Sequence, residues 1–128
     1  MAKTVHIRNT TKGKLPRLPF QAMKDRVLGE KYNLSLVIAT NRLSQDLNKK
    51  WRGKDKPTNI LSFSLGPSQG EIFLNLALAK KQAPDFERTY SNFVAFLLIH
   101  GFFHLKGMDH GSKMESEERK VRKEFSLD

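Results

Sequence analysis

Phe93-Val94-Ala95-Phe96-Leu97-Leu98-Ile99-His100-Gly101-Phe102-Phe103-His104-Leu105-Lys106-Gly107-Met108-Asp109-His110 is the stretch that decides the fold. Its apolar residues leave no broad polar face at helical spacing, and such a helix is normally buried on most sides. The helical pattern runs from about Glu87 to Lys106. Within it, His100 and His104 stand four apart and project from one face. Gly107 can end the helix in a left-handed turn, and the chain then doubles back to deliver His110. The spacing H-x-x-x-H-x-x-G-x-x-H can therefore gather three imidazoles from local geometry alone. Three neutral imidazoles with an open fourth position describe a catalytic zinc site rather than a structural one.

A lone histidine on an apolar helix is usually a satisfied core residue. Two at this spacing need two sets of hydrogen-bond partners if they are buried. A metal satisfies all three and uses the neutral form that burial favours. Zinc, one per chain, is the first expectation, and nickel, copper and iron also accept imidazole. The same spacing occurs in zinc proteases with the pattern H-E-x-x-H-x-x-G-x-x-H. Here Gly101 stands where those enzymes place the glutamate that activates water. The metal geometry survives, and the peptidase mechanism loses its base. Gly101 sits against another backbone, leaves room beside the metal, or is a helix glycine tolerated for packing. Asp109 either orients a ligand histidine or accepts a proton, or it is a turn residue capping an amide. Met114 is an apolar floor near the site or a core residue.

Outward from this stretch the pattern is mixed. Val5 and Ile7 alternate with polar residues and predict a strand. Thr10 to Pro19 reads as a loop, and Phe20 to Gly29 as a helix ending at glycine. Leu34 to Ala39 predicts a strand. Asn41 is the expected cap of a helix that carries Leu43 and Leu47 on one face, broken by Gly53 to Pro57. Ile60 to Leu65 predicts a strand and Gly66 to Gly70 a turn. Glu71 to Leu76 predicts another strand, passing into a helix around Leu78. Pro84-Asp85 marks a helix start. Ser112, with Glu115 three residues on, predicts a capping box for a last helix carrying mixed charge to the C-terminus. The expectation is α+β: a single domain over 1–128, a small mixed β-sheet packed with helices, and a zincin-like metal-bearing central helix.

The sequence has 128 residues, enough for one domain with a real core. With 23 Lys plus Arg against 13 Asp plus Glu, its formal charge is +10. That balance suits an anionic partner, most often nucleic acid, or a merely basic soluble protein. The absence of cysteine excludes disulfides and thiolate metal sites and fits the cytoplasm. Met1 to Arg8 holds no long apolar run, so no signal peptide is expected. Phe93 to Ile99 is too short to span a bilayer.

The second informative stretch is Trp51-Arg52-Gly53-Lys54-Asp55-Lys56-Pro57-Thr58-Asn59-Ile60-Leu61-Ser62-Phe63. Arg52 and Lys54 flank a glycine beside an aromatic residue, and arginine matches phosphate with its planar donor fork. The plainer reading is a solvated basic loop with Trp51 in the core. Thr58, Asn59 and Ser62 line a substrate groove or simply pair with a neighbouring strand.

These residues resemble the YbeY family of bacterial endoribonucleases and rRNA maturation factors. Its H-G-x-x-H-L-x-G-[Y or similar]-D-H hallmark is similar to His100–His110. A second family block resembles Arg52 to Phe63 almost residue for residue, and a G-[DE]-I turn and strand is matched by Gly70-Glu71-Ile72. Met108 departs from the usual Tyr and Phe103 from the frequent Leu. The acidic stretch after the third histidine is shortened to Gly111-Ser112-Lys113, which leaves Asp109, Glu71 or Glu115 as acidic helpers. The resemblance implies an α+β fold, a zinc held by His100, His104 and His110, and Arg52 facing it across a basic cleft. It also implies ribosomal RNA processing, especially at the small-subunit 3′ end, and ribosome quality control.

Taken with the residues, this predicts a metal-dependent endoribonuclease acting on single-stranded RNA, with ribosomal partners and no membrane. Arg52 and Asp109 are the expected catalytic residues, and Arg52, Lys54 and Lys56 hold phosphates. The nucleophile is activated water or the RNA 2′-OH. The rivals are a non-catalytic ribosome-associated factor with a structural metal and, last, a metallopeptidase.

Overall fold

Leu34, Leu36 and Ile38 alternate with residues of the opposite face, and all three are buried. In the computed structural model, which describes residues 3–127, they lie on the second strand of a four-stranded sheet. Met1 and Ala2, part of the segment expected to hold no signal peptide, and Asp128 lie outside the described residues. The elements in chain order are β1 (Val5–Asn9), α1 (Phe20–Leu28), β2 (Asn33–Ile38), α2 (Asn41–Arg52), β3 (Ile60–Gly66) and β4 (Gln69–Leu74). Then come α3 (Leu76–Gln82), a 3-10 turn (Ala83–Phe86), α4 (Tyr90–Leu105) and α5 (Ser112–Glu124).

The sheet order is β1-β2-β4-β3. β2 runs parallel to both β1 and β4, and β3 is antiparallel to β4. The expected small mixed sheet is therefore present, with β3 at one edge. Strand alternation sends Leu34, Leu36, Ile38, Ile72 and Leu74 into the main core. There they meet α4, whose Phe93, Leu98, Ile99 and Phe102 are almost fully buried. Burial of each such side chain is worth roughly 1.5–3 kcal/mol. α4 touches β3, α1, α3 and α5, so the most apolar segment of the chain is the hub of the domain.

One buried cation ties the first elements together. Lys24 is 0% exposed. Its Nζ donates to the Gly29 carbonyl at 3.0 Å and the Tyr32 carbonyl at 2.8 Å, and it pairs with Asp25 at 2.6 Å. A buried ammonium survives only with such partners.

Helix starts depart from the sequence reading. Thr40, not Asn41, caps α2: its Oγ1 accepts from the Leu43 amide at 3.1 Å. The Asn41 side chain is engaged elsewhere, its Oδ1 accepting from Asn75 Nδ2 at 2.6 Å. Asn75 also caps α3, accepting from the Leu78 amide at 3.0 Å, so β4 stops at Leu74 and the helix begins two residues before Leu78. Pro84-Asp85 opens only a 3-10 turn, which ends at Glu87 with φ of 55°. α4 starts afresh at Tyr90, capped by Thr89. The capping box at Ser112 does not form: Ser112 is the first helical residue, behind Gly111, and no side chain caps α5.

Candidate metal centre

α4 presents His100 and His104 one turn apart, with Nε2 atoms 3.0 Å from each other. The helix closes at Lys106, and Gly107 follows with φ of 93°, a conformation that glycine adopts without strain. The Gly107 amide donates to the His104 carbonyl at 3.0 Å and Met108 to the Phe103 carbonyl at 3.1 Å. This tight reversal brings the His110 ring within 4.5 Å of the His104 ring and 5.2 Å of the His100 ring, centroid to centroid. One nitrogen from each of the three rings lies within 4.8 Å of the others, so the cluster can hold a metal ion. Nitrogens about 2.0–2.1 Å from a tetrahedral zinc stand roughly 3.4 Å apart. The donor set therefore fits.

His100 is oriented by a residue that sequence reading missed. Glu118, on α5 and only 6% exposed, has its Oε1 2.6 Å from His100 Nδ1. An ionised Glu118 accepts from Nδ1–H, which fixes the tautomer and leaves the Nε2 lone pair facing the cluster. The sequence signal was available. Met114, Glu118 and Val121 share the buried stripe of α5, and a glutamate in an apolar stripe needs a partner. Burial chiefly, then the neighbouring His100 and His110, lowers the pKa of His104; Glu118 opposes this and Arg52 adds to it. The neutral, metal-binding form of His104 is thereby favoured.

Gly101 serves close approach. A Cβ there would lie 2.9 Å from Ser62 Oγ and 3.0 Å and 3.2 Å from Ile60 and Ile72 Cδ1. The position at which zinc proteases carry their glutamate is thus pressed against β3 and β4. A side chain there would force Ser62 and the ends of Ile60 and Ile72, or the helix itself, to shift.

The histidines open onto a cleft of about 900 Å3. Its other wall is the end of α2, the following loop and β3: Arg52, Lys54, Thr58, Asn59 and Ser62. Met114, buried, and Glu115, exposed, also line it, as do Arg119 and Arg122 of α5, which the sequence reading did not single out. Lys56 instead lines a neighbouring groove with Lys81, and Thr58 and Asn59 border both. Asp109 is exposed and does not line the cleft. Glu71 lies on β4, where it accepts from Ser35 Oγ at 3.4 Å. Trp51 is not a core residue: it is 60% exposed. The loop after α2 is held by Asn48 Nδ2 donating to the Lys56 carbonyl at 2.9 Å and by Gln45 donating to Asp55 at 3.0 Å.

Comparison with known proteins gives a consistent result. A family model described as Endoribonuclease YbeY matches residues 3–127. Among curated proteins, the chain is similar to an endoribonuclease YbeY of Rhizobium etli, 33% identical over 125 residues, covering 91% of this chain and 66% of the relative. It is similar to that of Bacillus velezensis at 32% identity, covering 87% of this chain and 80% of the relative. Against the first of these, the chain spans slightly under two thirds of the relative's length. Among solved structures, it resembles a solution structure of a Thermotoga maritima protein, with a TM-score of 0.63 and 25% identity over 91% of this chain and 85% of that one.

Proposed function

From membership of the YbeY family, to which this chain belongs, we propose that it is a metal-dependent endoribonuclease acting on single-stranded ribosomal RNA. One observation carries the reading. Three histidine nitrogens within 4.8 Å of one another share a single cleft with Arg52 and Lys54. Bound by His100, His104 and His110, a zinc or similar ion would supply Lewis-acid chemistry and draw the pKa of water down towards neutrality.

The chain's own residues account for the rest. Glu118 holds His100 in the ligating tautomer. Arg52 neutralises charge growing on the phosphate, and Lys54 holds a flanking phosphate in the same cleft. Lys56 holds a phosphate further along, in the adjoining groove. Glu115 is exposed on the cleft wall and is a better placed proton acceptor than Asp109. An open cleft admits a strand whose bases are splayed, which is how single-stranded RNA is held. Maturation of the small-subunit RNA 3′ end and ribosome quality control, in the cytoplasm, are the roles that this reading assigns. No helix among the described residues is long and apolar enough to cross a membrane.

The test is cleavage of single-stranded RNA by pure, untagged, metal-loaded protein beside a His104→Ala control. The reading expects products from the first and none from the second. Equal activity in both defeats it.

A further inference from the structure

Trp51 is the only tryptophan in the sequence, and it is 60% exposed. It is the most exposed large hydrophobic side chain among the described residues. Its ring meets Phe63 edge-on at 6.0 Å between centroids, and Phe63 meets Phe73 edge-on at 5.8 Å. Phe63 and Phe73 are half-buried residues of β3 and β4. Ile60, Ser62 and Ile72 are the residues that approach Gly101 of α4. Strand alternation therefore places Phe63 and Phe73 on the opposite face of the sheet. β3 thus lines the metal cleft through Ser62 and supports Trp51 through Phe63.

The surroundings of Trp51 are cationic. Lys49, Lys50 and Arg52 are the basic residues in the last turn of α2, and Lys50 Nζ lies 5.2 Å from the Trp51 ring centre. Arg52, the next residue, lines the metal cleft. Trp51 is flanked in sequence by two exposed cations, Lys50 and Arg52. Aromatic rings bordered by cations along a groove are the standard means of holding single-stranded nucleic acid.

We propose that Trp51 is a stacking platform for a nucleobase of single-stranded RNA whose backbone passes Arg52 into the metal cleft. Phe63 and Phe73 brace the ring from behind, and Lys50 meets a phosphate at its rim. This site extends the substrate path beyond the histidine cleft and rests on the RNA reading of that cleft.

Because Trp51 is the only tryptophan, its emission reports on this site alone. The experiment is stopped-flow mixing of full-length, metal-loaded protein with a short single-stranded RNA, read before turnover, with an abasic ribose-phosphate strand of equal length as comparator. Cleavage of the same RNA is scored separately. The expected result is quenching by the RNA and little by the abasic strand. Trp51→Ala should bind the RNA about fivefold to a hundredfold more weakly, and Trp51→Phe should recover most of that loss. Emission unchanged at saturating RNA, or equal affinity of Trp51→Ala and the unaltered chain, overturns the proposal. Quenching without cleavage retains the platform and sinks the nuclease reading. Cleavage without quenching does the reverse.

Discussion

The two walls of the cleft are built on opposite terms. On the α4–α5 wall, His100 and His104 are half-buried, Gly101 is pressed against the sheet, and Glu118 is buried against His100. On the α2–β3 wall, every residue from Lys49 to Lys56 is exposed. The first wall has to fix ring nitrogens to within a fraction of an ångström, and only packed neighbours do that. In the proposed function the second meets a long polyanion, for which reach and charge matter more than fixed position. The difference explains why one wall is packed around its histidines and the other is an exposed run rich in cations.

The largest effect that tests this division belongs to Arg52. Arg52→Ala should lower RNA cleavage by roughly 10²–10³-fold while the melting temperature stays unchanged, because the residue is exposed. A matching fall in melting temperature makes Arg52 a structural residue and breaks the contrast. Next is Glu118→Gln, which should weaken metal binding by about ten- to a hundredfold, read by competition with a chelator. Unaltered affinity means that burial on the α4–α5 wall does not orient His100.

Gly101→Val tests the packing of the same wall. With β3 and β4 side chains already at 2.9–3.2 Å from a Cβ there, it should cost about 1–3 kcal/mol in urea unfolding. A neutral result shows that the β3 and β4 side chains, or the helix, give way at little cost.

A smaller effect concerns pH. Burial, chiefly, lowers the pKa of His104 in the folded chain below its unfolded value of about 6.5. The unfolded state then binds more protons in that window, so the contribution is fully present above about 6.5 and is lost as pH falls through the lowered value. Metal-free protein should melt progressively lower as pH drops from neutral, and His104→Gln should flatten that slope. The smallest change is at Lys54: Lys54→Ala should reduce the salt slope of single-strand binding by about 0.7, with folding unaffected.

Much of the first wall was legible in the sequence because its geometry is local. His100, His104, Gly107 and His110 are related by one helix turn and one reversal, both of which spacing encodes. Glu118 was not singled out, because only the docking of α5 on α4 brings it to His100 from 18 residues away. The cap at Thr40 was missed for a similar reason. Asn41 is also a good cap by type, and its side chain is drawn off by Asn75, 34 residues on. On the second wall, the run of charge was plain, but whether Trp51 faced inward or outward was not. Periodicity cannot tell which face of a sheet a neighbouring helix leaves bare. The docking of the α2 end on Phe63 of the edge strand β3 leaves Trp51 exposed.

The central claim is that the histidine wall supplies one metal ion and the cationic wall presents RNA to it. It is tested most directly by titrating zinc into stripped, untagged protein while following cleavage of single-stranded RNA. The account predicts activity that rises in proportion to added metal and levels at one equivalent per chain. Cleavage that persists in the stripped protein, or that never appears at one equivalent, contradicts it.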